Sequence, residues 1–292
     1  MGDLGKHRQL SDSILIRSWK RIPLVVRSIV VGFLVYAITG AVIWALVLAV
    51  IPAPWSLAVM LGVLVVFWKY FSGDWGHKKT AESRRRYFRG TKLPTNTWIW
   101  SMAAAMLAVV AVEAGFVITF RAVQFPADEW ALGYDFSSFP TWLVWLYIVM
   151  AACVAGITEE VGFRGYMQSP IEGRYGPVVG VAAVSIVFTV IHLNQAWAPP
   201  VLIVIFSISV LWGILAYASR SLIPGVVSHI AADIINFSYW WTDVAGKFER
   251  QPISQTGIDA HFVWWVLILL AALVLFAWTA RKTLESHNES PQ

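Results

Sequence analysis

The chain has 292 residues, 58% of them hydrophobic and only 13% charged, with 17 tryptophans, a formal net charge of +5 and a mean hydropathy of +0.64. A soluble domain carries about a quarter charged residues, so this composition excludes a water-soluble globular enzyme. The basic residues cluster between apolar runs, which assigns the positive charge to membrane orientation and excludes a nucleic-acid partner.

The apolar runs are long enough, at about 20 residues each, to cross a hydrocarbon core of about 30 Å as helix. They fall at 23–50, 54–71, 97–120, 141–167, 176–195, 199–219, 221–241 and 261–280. Proline and polar clusters separate them: IPAPW (51–55), KLPTNT (92–97), AWAPP (196–200) and KFERQPISQTG (247–257). The expected fold is all-α, a polytopic transmembrane bundle of about eight spans, with no soluble domain and no repeat of fixed period. Four parts follow. Residues 1–22 precede the first span, 23–140 hold the first three spans and a basic loop at 69–92, 141–241 form a core, and 242–292 form a loop, the last span and a tail.

Lysine and arginine orient the chain. With both termini cytoplasmic, the inner side holds six basic residues up to Arg27, eight in the 69–92 loop, and Arg174, Arg220, Arg281 and Lys282. The outer side holds Arg121, Lys247 and Arg250. The expected location is therefore a plasma (inner) membrane, multi-pass, with the KKTAESRRRYFRGTK cluster (78–92) facing anionic lipid. Trp55, Trp98, Trp100, Trp142, Trp197, Tyr239, Trp240 and Trp241 lie near span ends, as interfacial belts require. The one cysteine, Cys153, lies within a span, so no intrachain disulfide is expected.

Ionisable residues inside spans are few: Glu113, Glu159, Glu160, Arg164, His192, His229 and Asp233. Such groups are expensive in lipid and mark functional interiors. All but Glu113 fall on the fourth, fifth and seventh spans, and each of these three carries a pair at i,i+4: Glu160/Arg164, Phe188/His192 and His229/Asp233. Residues four apart share a helix face, so three helices can gather these polar groups in one pocket. Arg164 neutralises Glu160, which leaves Glu159, pointing about 100° away, as the freer carboxylate. Asp233 and Asn236 follow His229 on one stripe, and either is placed to orient the imidazole or to donate to an oxyanion. Glu113 has no motif around it, and pairing with a polar group on a neighbouring helix is expected.

The ordered set EExxxR (Glu159 to Arg164), FxxxH (Phe188 to His192) and HxxxD (His229 to Asp233) resembles the CPBP family of intramembrane proteases, which includes the type II CAAX prenyl endopeptidases. The resemblance covers about residues 141–241. It implies an endopeptidase acting on a membrane-associated protein or peptide, in which Glu159 and His192 activate a water while His229 and the residue at 233 stabilise the oxyanion. Family members often have asparagine where this chain has Asp233. The catalytic set so implied is Glu159, Glu160, Arg164, His192, His229 and Asp233. The chemistry needs only an activated water, a base and oxyanion donors, and two versions stand. One is metal-free with Glu159 as general base. The other has zinc on Glu159, His192 and His229, with Glu160 left as base; HExxH is absent. Two other functions use the same residues: a transporter or proton relay, and a catalytically inactive scaffold or immunity protein.

Overall fold

The computed structural model describes residues 14–124, 136–195 and 199–289, and every regular element among them is a helix. In chain order these are α1 (Ile14–Arg21), α2 (Leu24–Val50), α3 (Trp55–Phe71), α4 (Lys78–Phe88), α5 (Thr95–Ala122), α6 (Thr141–Tyr175), α7 (Pro177–Ile191), α8 (Pro199–Ser219), α9 (Ile223–Asn236), α10 (Ile253–Thr256) and α11 (Ala260–Glu289). By length and composition, α2, α5, α6, α8 and α11 are each sufficient to cross a membrane. Helices α3 and α7 are shorter and apolar. The fourth expected span thus continues past residue 167 to Tyr175, and the seventh is a helix that passes into a π turn over Phe237–Trp241.

The bundle is sorted by what each face meets. Large apolar side chains on the outside of α2, α3 and α11 are open, including Val42, Leu46, Leu61 and Val274. On a soluble protein such a surface would be an aggregation hazard; in a bilayer it is the lipid contact. Inside, small residues let helices approach closely. Ala104, Ala105 and Ala108 of α5 are fully buried against Ala272, Phe276 and Ala280 of α11. The aromatic core, by contrast, lies among α5 to α9, where Phe116, Phe120, Phe163, Phe188 and Trp212 are all buried.

The basic 69–92 loop contains the surface helix α4. Its Arg84 is buried, donating to the carbonyls of Tyr70 (2.7 Å) and His77 (3.2 Å) and lying over the Tyr70 ring. Phe88 packs edge-on against Trp68 at 4.7 Å. Lys78, Lys79, Arg85 and Arg86 stay exposed, so one face of the cluster docks the helix and the other presents charge.

Trp240 departs from the belt expectation. It is buried, 4.9 Å from both Phe120 and Phe248. The π turn that carries it widens the helix and turns that ring inward. Trp55 and Trp142 are exposed as belt residues should be; Trp197 lies outside the described residues.

Candidate active site

The site begins with a change in helix type. α6 is regular from Thr141 to Glu159 and then becomes a π-helix from Glu160 to Gln168, nine residues all buried. Such segments are rare and collect at functional sites, since the wider turn re-aims side chains. The change falls between the two adjacent acids. At about 1.5 Å per residue Glu159 lies about 27 Å from Thr141 along this helix, well away from either end of α6.

Glu160 is fully buried behind the pocket. Its Oε1 is 3.2 Å from Arg164 Nη1 and 3.0 Å from His229 Nδ1. Arg164, also fully buried, donates from Nη2 to Oγ of Ser209 (3.0 Å) and to its carbonyl (3.3 Å). The guanidinium lies 4.8 Å from the Phe188 ring and 5.5 Å from Trp212, cation–π contacts strengthened by the absence of water. Glu160 and Arg164 therefore form a charged base plate on which His229 rests.

Glu159 is oriented differently. Among the described residues no donor reaches its carboxylate at hydrogen-bond distance; His229 Nε2 lies 3.9 Å from it. It faces a cavity of about 140 Å³, enough for several waters. His192, His229, Asp233 and Asn236 share the wall with it, and Phe188, Ile208 and Trp212 supply apolar surface. The gathering expected from three i,i+4 pairs is present, with Glu159 in front and Glu160 and Arg164 behind.

Hydrogen bonds fix the imidazoles. His192, just past the last turn of α7, places Nδ1 2.7 Å from the Phe188 carbonyl. A carbonyl only accepts, so Nδ1 carries the proton and Nε2 keeps a lone pair. His229 is stacked on Trp212 with ring centres 3.8 Å apart and planes 18° from parallel. Its Nδ1 donates to the Glu160 carboxylate, and its Nε2 is 3.5 Å from Asp233 Oδ2. Of the two candidates for orienting His229, the geometry selects Asp233. Asn236 spends its amide hydrogens on Glu113 Oε1 and the Ala232 carbonyl, both at 2.9 Å. Glu113 thus has the neighbouring-helix partner expected of it.

The zinc version fits poorly. Among the described residues no group of three or more His, Cys, Asp or Glu is arranged so that it could hold a metal ion, Glu159, His192 and His229 included. Both His229 nitrogens already face carboxylates. No step below passes through a metal.

Sequence reasoning missed Ser209 and Trp212 of α8. Serine and tryptophan are ordinary in apolar helices, and neither carries a motif. Close packing is the other hidden feature. A Cβ on Gly156 would fall 2.6 Å from Ile230 Cγ1, so this glycine lets α6 and α9 meet beside the acids. A Cβ on Gly225 would fall 2.9 Å from Glu160 Oε2, a carboxylate held by both Arg164 and His229. Gly225→Ala is therefore expected to destabilise by about 1–2 kcal/mol, overpacking outweighing the helix-propensity gain. The unfolding midpoint in micelles reads this, and an unchanged or raised midpoint would mean that the carboxylate can retreat.

Comparison with curated proteins and with solved structures gave no match. Residues 140–235 do match the family described as Rce1-like: Type II CAAX prenyl endopeptidase Rce1-like. That stretch runs from the residue before α6 to the last turn of α9 and contains Glu159, Glu160, Arg164, His192, His229 and Asp233. The apolar helical bundle is that of an integral membrane protein, and the stretch that holds Glu159, Glu160 and His229 is similar to the Rce1-like family of type II CAAX prenyl endopeptidases, a protease-type core.

Proposed function

We propose that the protein is an intramembrane endopeptidase that hydrolyses a peptide bond of a membrane-associated protein or peptide with a water activated by Glu159 and His192. One observation carries this reading: a carboxylate that no donor among the described residues reaches at hydrogen-bond distance and an imidazole with a free lone pair converge on one cavity that holds several waters.

In the reaction, Glu159 takes a proton from a water that also donates to His192 Nε2. The water oxygen bonds to the substrate carbonyl carbon, and the carbonyl electrons move onto oxygen. That oxyanion needs a donor. His229 supplies one from Nε2 only when its ring carries both protons, since Nδ1–H is committed to Glu160. Asp233 orients that ring, with Oδ2 3.5 Å from Nε2. The tetrahedral centre then collapses, the C–N bond breaks, and Glu159 returns its proton to the leaving nitrogen. Glu160 and Arg164 position His229 and do not touch substrate. The basic asymmetry supports cytoplasmic termini in an inner membrane, and the exposed Lys78, Lys79, Arg85 and Arg86 of α4 support contact with anionic lipid.

The test compares N- and C-termini of membrane proteins in cells expressing wild type or Glu159→Gln at matched levels. Termini found only with wild type are expected, and they name the substrate. Identical termini with both proteins folded would sink the protease reading in favour of transport or an inactive scaffold.

A further inference from the structure

Glu113 is the one acid of α5, and the reaction above does not use it. It accepts a hydrogen bond from Asn236 Nδ2 at 2.9 Å and a second from the Trp240 side chain. Both donors lie where α9 passes into the π turn, Asn236 as the last helical residue and Trp240 one turn further. Trp240 is itself fixed by burial against Phe120 and Phe248.

The rest of α9 is fixed from the opposite end. The Leu222 N–H, just before the helix, donates to the Arg89 carbonyl, and His229 rests on Glu160. Asp233 and His229 lie three and seven residues before Asn236 on the same stripe. They are therefore about 4.5 and about 10.5 Å from the Glu113 anchor along a rigid helix. A slip of that helix would carry His229 off Glu160 Oε1, 3.0 Å away on α6, and shift Asp233 relative to Glu159 across the cavity. For stability alone an apolar residue would serve α5 as well or better, because a buried polar group is a poor source of stability and its best-attested use is to fix register.

We propose that Glu113 is a positioning residue: by holding Asn236 and Trp240 it sets the register of α9 and so the placement of His229 and Asp233 in the cavity. The catalytic part of this claim rests on the protease reading; the register part does not.

Two measurements on the full chain in nanodiscs test it, for wild type, Glu113→Leu and Glu113→Gln. The first is amide hydrogen exchange. Glu113→Leu is expected to raise exchange about tenfold in residues 229–241 while the α5–α11 contact keeps its protection, and Glu113→Gln, which retains an acceptor oxygen, is expected to restore most of the difference. The second is cleavage of a peptide spanning the site found by the termini comparison. There kcat is expected to fall about tenfold in Glu113→Leu with KM within about threefold, as for loss of an interaction that matters only in the transition state. Unchanged exchange in 229–241, or equal loosening of every helix, overturns the register claim. Loosened α9 with wild-type kcat overturns the link to catalysis. Should wild type cut nothing, the exchange result alone decides for or against register control, so this proposal and the protease reading fail separately.

Discussion

Arg164→Ala should be the most damaging single substitution to the fold, with an expected loss of about 3–5 kcal/mol, the range for removing one partner of a buried ion pair. The reason is what remains. Glu160 is fully buried and among the described residues would keep His229 as its side-chain partner, and the Ser209 side chain would lose its donor. The guanidinium also fills the space beside Phe188 and Trp212, so the truncation leaves a void where those rings made contact. Lysine should not rescue it. A compact ammonium can meet Glu160 or Ser209 but lacks the fork that spans both. Removing both charges is the informative control. Glu160→Gln with Arg164→Met should recover much of the stability lost by Arg164→Ala, because no ion is left unpaired. It should not recover cleavage, because His229 no longer rests on a carboxylate. Unfolding in micelles under matched conditions measures all three proteins. A loss below about 1 kcal/mol for Arg164→Ala would be the value of an exposed pair, and would refute the buried base plate.

Much of this site was legible because hydropathy and chemistry disagree at a few positions. Glu159, Glu160, Arg164, His192, His229 and Asp233 stand out in apolar runs, and the expense of exposing them to lipid is the physical reason they face one interior. The fold class followed from the same runs. The hidden features depend on information that hydropathy does not carry. The π segment from Glu160 to Gln168 is a change of backbone hydrogen-bond register, invisible in side-chain polarity. That register is also why Trp240 could not be told from a belt residue. The roles of Asp233 and Asn236 were inseparable on an ideal helix, where both share the stripe of His229. Only the neighbouring α5, with Glu113, distinguishes them. Trp212 and Ser209 had no signal because their importance comes from α8 packing against α6 and α9.

Glu159→Gln and His192→Ala should each lower kcat by about 10²–10⁴, the usual contribution of a positioned acid–base group, and the double variant should lose no more than about threefold beyond the worse single. The second figure is the sharper one. If Glu159 removes the proton while His192 holds the same water, either loss leaves that water unactivated, and residues that act as a unit are grossly non-additive. Were the two groups to act on different atoms, their losses would multiply. The His192 effect has a particular cause here, since its Nδ1–H is committed to the Phe188 carbonyl and only Nε2 can meet the water. His192→Gln keeps an acceptor in the wall without that fixed orientation, so it should fall between wild type and His192→Ala. Stability should change little, because no protein donor holds Glu159 among the described residues and His192 makes one backbone bond at the end of α7. Rates on the peptide identified by the termini comparison, with folding checked by the same micelle unfolding, give the cycle directly. Multiplying losses would remove His192 from the activation of the water and leave Glu159 as the lone base.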